Sequence, residues 1–232
     1  MSSFTFKQFH INQQHCAMKV GTDGILLGAW ADVSDCQRIL DMGTGTGLVA
    51  LMLAQRSHEH CQIEAVELDP LAAQQAQENF QASPWHNRLH LTHQDVQTYC
   101  QQTAHQFDLI VANPPYFAQG VECKNDERAL ARYVQQSHLD WLNWAAICLS
   151  EKGKISFVLP YEAGKTLINS TSLYCIKQTD VITKIGKAPQ RMLLTFSQEH
   201  LPQVKDGLVI YDENNQYTEE FIALTKAFYL KM

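Results

Sequence analysis

The chain has 232 residues, 45% hydrophobic and 18% charged, a length that supports one sizeable core and a composition that excludes the disordered classes. Its net charge of −6 argues, taken as an average, against a nucleic-acid partner. No signal-like start is evident, runs such as LVALMLA fall short of the roughly 20 residues of a membrane span, and the seven cysteines have no CxxC spacing, so a cytoplasmic protein without disulfide framework or zinc ribbon is expected.

Residues 1–37 read as an amino-terminal extension packed on a single domain, 1–232, with Thr22 placed to cap the apolar helix GILLGAW. From Arg38 onward, short β-rich runs alternate with helical segments, the pattern of βαβ units and a parallel sheet. The predicted strands are RILDMG, IEAVEL, RLHLTHQD, FDLIVAN and KISFVLP. Between them lie helices such as LVALMLAQR and PLAAQQAQENF, the second with Pro70 in its first turn and Asp69 as its cap. Another helix starts after Ser137, with Asp140 in the capping-box position. It turns Trp141, Trp144, Ala145 and Cys148 toward the core, and Gly153 is expected to end it. A further helical stretch, two strands around 177–185 and 191–197 joined by GKAPQ, and a last helix TEEFIALTKAFYL complete the chain.

DMGTGTG, Asp41 to Gly47, falls between the first strand of this series and the helix that follows, where a glycine-rich turn lets a ligand approach the backbone. The dinucleotide fingerprint needs GxGxxG, and counting from Gly43 and Gly45 puts Leu48 where the third glycine belongs. GxGxG preceded by Asp41 instead resembles the class I S-adenosylmethionine-dependent methyltransferases, which makes Asp41, Gly43, Gly45 and Gly47 candidate cofactor-binding residues. Ligands of open α/β sheets lie beyond the carboxyl ends of the strands. Glu67 is therefore placed to accept hydrogen bonds from ribose hydroxyls and Asp95 to meet the adenine amine, each with the alternative of a helix cap or solvated turn.

NPPY, Asn113 to Tyr116, ends the fourth strand on the same edge. Prolines cannot donate to a sheet ladder and they fix φ, so this turn is rigid. In the class I enzymes that this pattern resembles, the motif handles a planar amine whose lone pair is delocalised. The Asn113 side-chain oxygen and the Pro114 carbonyl are the candidate acceptors for its two hydrogens. They supply positioning without a strong base, and Tyr116 supplies a stacking face with Phe117 beside it. His58, His60, His86, His90 and His93 share no regular face, so no metal is expected.

Charge is unevenly distributed. Residues 1–116 carry 5 Lys and Arg against 11 Asp and Glu, whereas residues 117–232 carry 13 against 13. Lys177, Lys184, Lys187 and Arg191 are offset locally by Asp180 alone. If the sixth and seventh strands are antiparallel, the GKAPQ turn reaches the active edge, where Lys184, Lys187 and Arg191 are candidates for phosphate contacts. Lys124, Arg128 and Arg132, just after NPPY, are further candidates.

The segment FTFKQFHINQQHCAMKVGTDGILLGAW, Phe4 to Trp30, resembles the start of the bacterial methyltransferases that act on adenine 37 of valine-1 tRNA, beside the anticodon. The likeness continues through the glycine loop and NPPY to GKAPQRMLLTF. It implies a Rossmann-like α/β fold with a seven-stranded, mostly parallel sheet and helices on both faces. It also implies N6-methylation of an anticodon-loop adenine, and a place beside the cofactor for Lys19, Thr22 and Asp23; a monomer is expected. From the residues alone the reading reaches an amino methyltransferase. Another planar amine (an rRNA base or a protein glutamine) and a non-catalytic S-adenosylmethionine-binding RNA module remain alternatives.

Overall fold

A computed structural model describes residues 3–14, 19–115 and 137–231. Two three-residue strands, β1 (Ser3–Thr5) and β2 (His10–Asn12), pair antiparallel as a small hairpin, which precedes α1 (Thr22–Trp30). The alternating series then runs β3 (Arg38–Met42), α2 (Leu48–Arg56), β4 (Gln62–Glu67), α3 (Pro70–Gln81), β5 (Leu89–His93), α4 (Val96–Gln102) and β6 (Phe107–Ala112). After it come α5 (His138–Ile147), β7 (Leu149–Pro160), α6 (Tyr161–Ser170), β8 (Tyr174–Lys184), β9 (Arg191–Ser197), β10 (Val204–Tyr211) and α7 (Glu219–Thr225).

The main sheet has the order β10-β8-β9-β7-β6-β3-β4-β5, and β9 is the one strand that runs antiparallel to its neighbours β7 and β8. Among the described residues it has eight strands where seven were expected; the addition is β10, which pairs parallel with β8 at the edge. The first four residues of β10 are exposed, so they lack the apolar alternation by which a half-buried strand is read from sequence. Both faces of the central strands are covered. Ile39 belongs to a core shared with α1, α2, α3 and α7, and its neighbour Leu40 to a core shared with α4, α5 and α6, as parallel strands buried on both sides require.

Several boundaries differ from expectation. Helix α5 does carry the Ser137–Asp140 capping box, and Trp141, Ala145 and Cys148 are buried in the core. It stops at Ile147, however, and Gly153 lies inside β7. A Cβ there would meet the Leu149 side chain at 2.6 Å and the Phe107 carbonyl at 2.7 Å, next to a register shift between Phe107 and Leu109. The glycine therefore admits a close approach inside a strand and ends no helix. Similarly, α7 is seven residues long, shorter than the run TEEFIALTKAFYL suggests.

The hairpin is fastened through one amide. Asn79 on α3 accepts from Asn12 N–H at 2.9 Å through Oδ1, while its Nδ2 donates to the Asn12 carbonyl at 2.9 Å and the Thr46 carbonyl at 2.8 Å. Phe6 stacks on Phe9, with ring centroids 4.6 Å apart, and Phe9 meets Trp85 edge-on.

Candidate active site

The chain runs from β3 outward to β4 and β5, then returns to place β6 on the other side of β3. That reversal leaves a crevice at the carboxyl ends of β3 and β6, where open α/β sheets bind ligands. Asp41 pairs with Val111 and Met42 with Ala112, so Gly43 and Asn113 leave the sheet side by side.

The loop after β3 is shaped by its glycines, all at positive φ. A Cβ on Gly43 would strike Trp141 at 2.9 Å and one on Gly47 would strike Phe80 at 2.5 Å, whereas one on Gly45 would meet nothing within 4 Å. Gly43 and Gly47 thus let the loop pack down, and Gly45 faces open space. Beneath the loop, Asp41 is 2% exposed; its Oδ2 accepts from Thr44 Oγ1 at 2.6 Å and from Ala50 N–H at 3.1 Å. Burial pushes its carboxyl up to about 7, against the pull of those two bonds.

Glu67 turns toward the same loop. Its Oε2 accepts from Gly45 N–H at 2.8 Å and its Oε1 from Leu68 and Asp69 N–H, both at 2.9 Å. Burial raises its pKa, and those backbone donors oppose the rise. A carboxylate has about four acceptor sites, so capacity for a ribose hydroxyl remains. Asp69 caps α3 through Ala72 N–H at 2.8 Å, the role expected of it. Asp95 caps α4, with Oδ1 accepting from Thr98 N–H at 3.0 Å, because β5 ends at His93 and the residue lies past the strand, at a helix start.

A cavity of about 360 Å³ lies over the loop. It brings together Asp41, Gly43, Gly45, Thr22, Asn113 and Arg191 from the expected set, with Lys19 and Asp23 beside them. Glu67, Asp95, Gly47 and Pro114 do not line it. Thr44 and Thr46 do; their alternation with the glycines in DMGTGTG is the signal in the sequence that marks them. The oxygen Oδ1 of Asn113 is buried and has no hydrogen-bond partner among the described residues. An orphaned buried acceptor is costly unless something donates to it. Open space above Gly45 and an unsatisfied acceptor at Asn113 fit a cofactor on the loop and an amine donor beside it. Tyr116 and Phe117 lie outside the described residues, as do Lys124, Arg128 and Arg132.

One expectation is corrected. Thr22 does not cap α1: Gly21 occupies that position with no side-chain bond, and Thr22 is the first helical residue, on the cavity wall. Arg191, a candidate for phosphate contact, is held in an ion pair. Its Nε donates to both oxygens of Asp23, at 2.9 and 3.1 Å, and its Nη1 to the Gln190 carbonyl at 3.0 Å, a pairing between residues 168 apart in sequence that fixes the guanidinium at the cavity edge. The GKAPQ turn does reach the carboxyl edge, since Pro160 at the end of β7 pairs with Arg191 at the start of β9. There Lys187 is exposed, and Lys184 Nζ donates to Asn215 Oδ1 at 2.7 Å.

The family model of the methyltransferase small domain matches residues 18–168. A tRNA1(Val) (adenine(37)-N6)-methyltransferase of Haemophilus influenzae is 71% identical over 231 residues, covering 100% of both chains. That of Pasteurella multocida is 63% identical, over 99% of this chain and 97% of the other. This chain belongs to the tRNA1(Val) (adenine(37)-N6)-methyltransferase family. Among solved structures, a predicted O-methyltransferase of Agrobacterium tumefaciens superposes with a TM-score of 0.69 at 20% identity, covering 89% of this chain and 96% of that one. That likeness speaks to the fold alone. Among the described residues, no helix of this methyltransferase is long and apolar enough to cross a membrane.

Proposed function

We propose that this protein transfers a methyl group from S-adenosylmethionine to the exocyclic N6 of adenine 37 in the anticodon loop of tRNA1(Val), as a single-domain, metal-independent monomer in the cytoplasm. The observation that carries the chemistry is the buried Asn113 Oδ1, which has no hydrogen-bond partner among the described residues, on the wall that also holds the glycine loop.

The exocyclic amine of adenine is a weak nucleophile because its lone pair is shared with the ring. Asn113 Oδ1 and the Pro114 carbonyl accept its two hydrogens and thereby favour the lone pair on nitrogen. The two prolines hold these acceptors still, and Tyr116 stacks on the base, a contact worth about 1–3 kcal/mol. Gly43, Gly45, Thr44 and Thr46 form the cradle for S-adenosylmethionine, with Glu67 on the ribose and Asp95 toward the adenine amine. When bound, that cofactor supplies a methyl group activated on sulfonium sulfur. Adenine 37 sits in a loop, so extruding it costs less than opening a duplex.

The test is methylation of tRNA from cells lacking this gene, followed by mass mapping. N6-methyladenosine at position 37 of tRNA1(Val) is expected. Asn113→Ala should lower kcat by about 100- to 1,000-fold, as loss of one preorganised polar contact does, with S-adenosylhomocysteine affinity unchanged. Label in protein or in another RNA would leave the amine chemistry and discard the substrate.

A further inference from the structure

Beside the cavity over the glycine loop lies a second one, of about 220 Å³. The two share Thr22, Asp23 and Arg191, so the Asp23–Arg191 ion pair stands between them as a partition. The second cavity sits farther out along the carboxyl edge. Its walls come from the ends of β8 and β10 and from the residues after β10, whereas Asn113 follows β6. In the order β6-β7-β9-β8-β10, β9 and β8 are two and three strands beyond Asn113; at about 4.8 Å per strand that displacement suits a neighbouring nucleotide and exceeds the size of the target base itself.

The lining is aromatic on one side and polar on the other. Tyr211 and Tyr217 are stacked, with centroids 4.9 Å apart at 23°, and Tyr217 is also 4.9 Å from Phe221. Tyr229 adds a third phenol. Tyr217 is 39% exposed, a large apolar ring left partly in water at a cavity mouth. On the same lining, Thr183 Oγ1 donates to Gln190 Oε1 at 3.0 Å, which orients the amide. Rings that offer stacking, together with an oriented amide, are the chemistry by which proteins hold an unstacked RNA base.

We propose that this cavity is a second nucleobase site, taking a base that flanks the methylated adenine when the loop is splayed across the Asp23–Arg191 partition. The inference rests on the RNA substrate proposed above. In it, the target base enters beside Asn113, the connecting backbone passes over Thr22 and Arg191, and the flanking base lies against the tyrosines. Lys187 at the adjoining turn stands near the phosphates that follow.

The experiment is a double-mutant cycle on an anticodon stem-loop of tRNA1(Val), read by both Kd from fluorescence anisotropy and kcat/KM. Tyr217→Ala and Tyr217→Phe enzymes are compared with the wild type on hairpins that are intact or abasic at position 36 or 38. One stacked base corresponds to about 5- to 150-fold in Kd. Tyr217→Ala is expected to weaken the intact hairpin by that factor and Tyr217→Phe to restore it. One of the two abasic hairpins should bind the wild type as weakly as Tyr217→Ala binds the intact one, with no further loss when both changes are combined. Because the abasic series uses unaltered enzyme, a folding defect in Tyr217→Ala cannot imitate it. Methylation of the intact hairpin with equal affinity for all three RNAs overturns the second site alone, as do losses that simply multiply. A hairpin neither bound nor methylated by the wild type overturns the substrate assignment and this site with it.

Discussion

Asp41 is a carboxyl group closed off from water beneath the glycine loop, and its environment makes stability depend on pH. The folded value is raised from 3.8 to about 7 by burial, so between those limits the native state holds a proton that the unfolded chain has released. Stability therefore falls as pH rises through this window, by up to about 1.4 kcal/mol per pH unit from this group. Asp41→Asn keeps an acceptor for Thr44 and Ala50 but cannot ionise. It should flatten the slope of unfolding free energy against pH between 4 and 7; a denaturation series with an unchanged slope would refute the assignment. The carboxylates and amides of the site were legible to different degrees. Asp41, Asp69 and Asn113 were readable because each is set by local chain order, as the end of a strand or the start of a helix. The Asp23–Arg191 pair was not, because its partners come from α1 and β9 and meet only when the sheet has formed. Asp95 is an intermediate case: the sequence offers both a strand end and a helix cap, β5 stops two residues before it, and the cap is what forms.

Helix α1 forms one wall of the cavity, and its position depends on close packing against α2. A Cβ on Gly28 would lie 2.8 Å from Met52 Cβ, an atom too near the backbone to swing aside. The same end is held by Arg56 at the end of α2, whose Nη1 donates to the carbonyls of Gly28 and Ala31, both at 2.8 Å. Gly28→Ala regains about 1 kcal/mol of helix propensity but overpacks the contact at a cost of about 1–3 kcal/mol. The expected net result is a lower Tm, at about 2–4 °C per kcal/mol for a chain of this size, and a displaced Thr22. A thermal melt at or above the wild-type value would show that α1 shifts without loss. The elements that were easy to read, β3, β4, β6 and α3, combine strong apolar runs with local punctuation by glycine, proline or a cap. Those that were missed have short or exposed segments: the hairpin strands have three residues each, and β10 begins in water. Gly153 misled because the same residue type that stops helices also admits close backbone contact within strands.

For the molecule as a whole, a net charge of −6 conceals a carboxyl edge that carries exposed cations. Lys187 is exposed in the turn between β8 and β9. If it meets a phosphate, Lys187→Glu should weaken tRNA binding and reduce the slope of log K against log salt by about one. An unchanged slope would remove Lys187 from the interface. Arg191, held by Asp23, should instead act through the shape of the site, with a smaller change in salt dependence than in kcat. The Asn79 amide has a reach of a different kind. It bonds both backbone groups of Asn12 and the carbonyl of Thr46, so the hairpin and the cofactor loop share one latch. The amide proton of Asn12 is thereby a remote reporter of loop order. Adding S-adenosylhomocysteine should slow its deuterium exchange, and Asn79→Ala should leave that exchange fast whether or not the ligand is present.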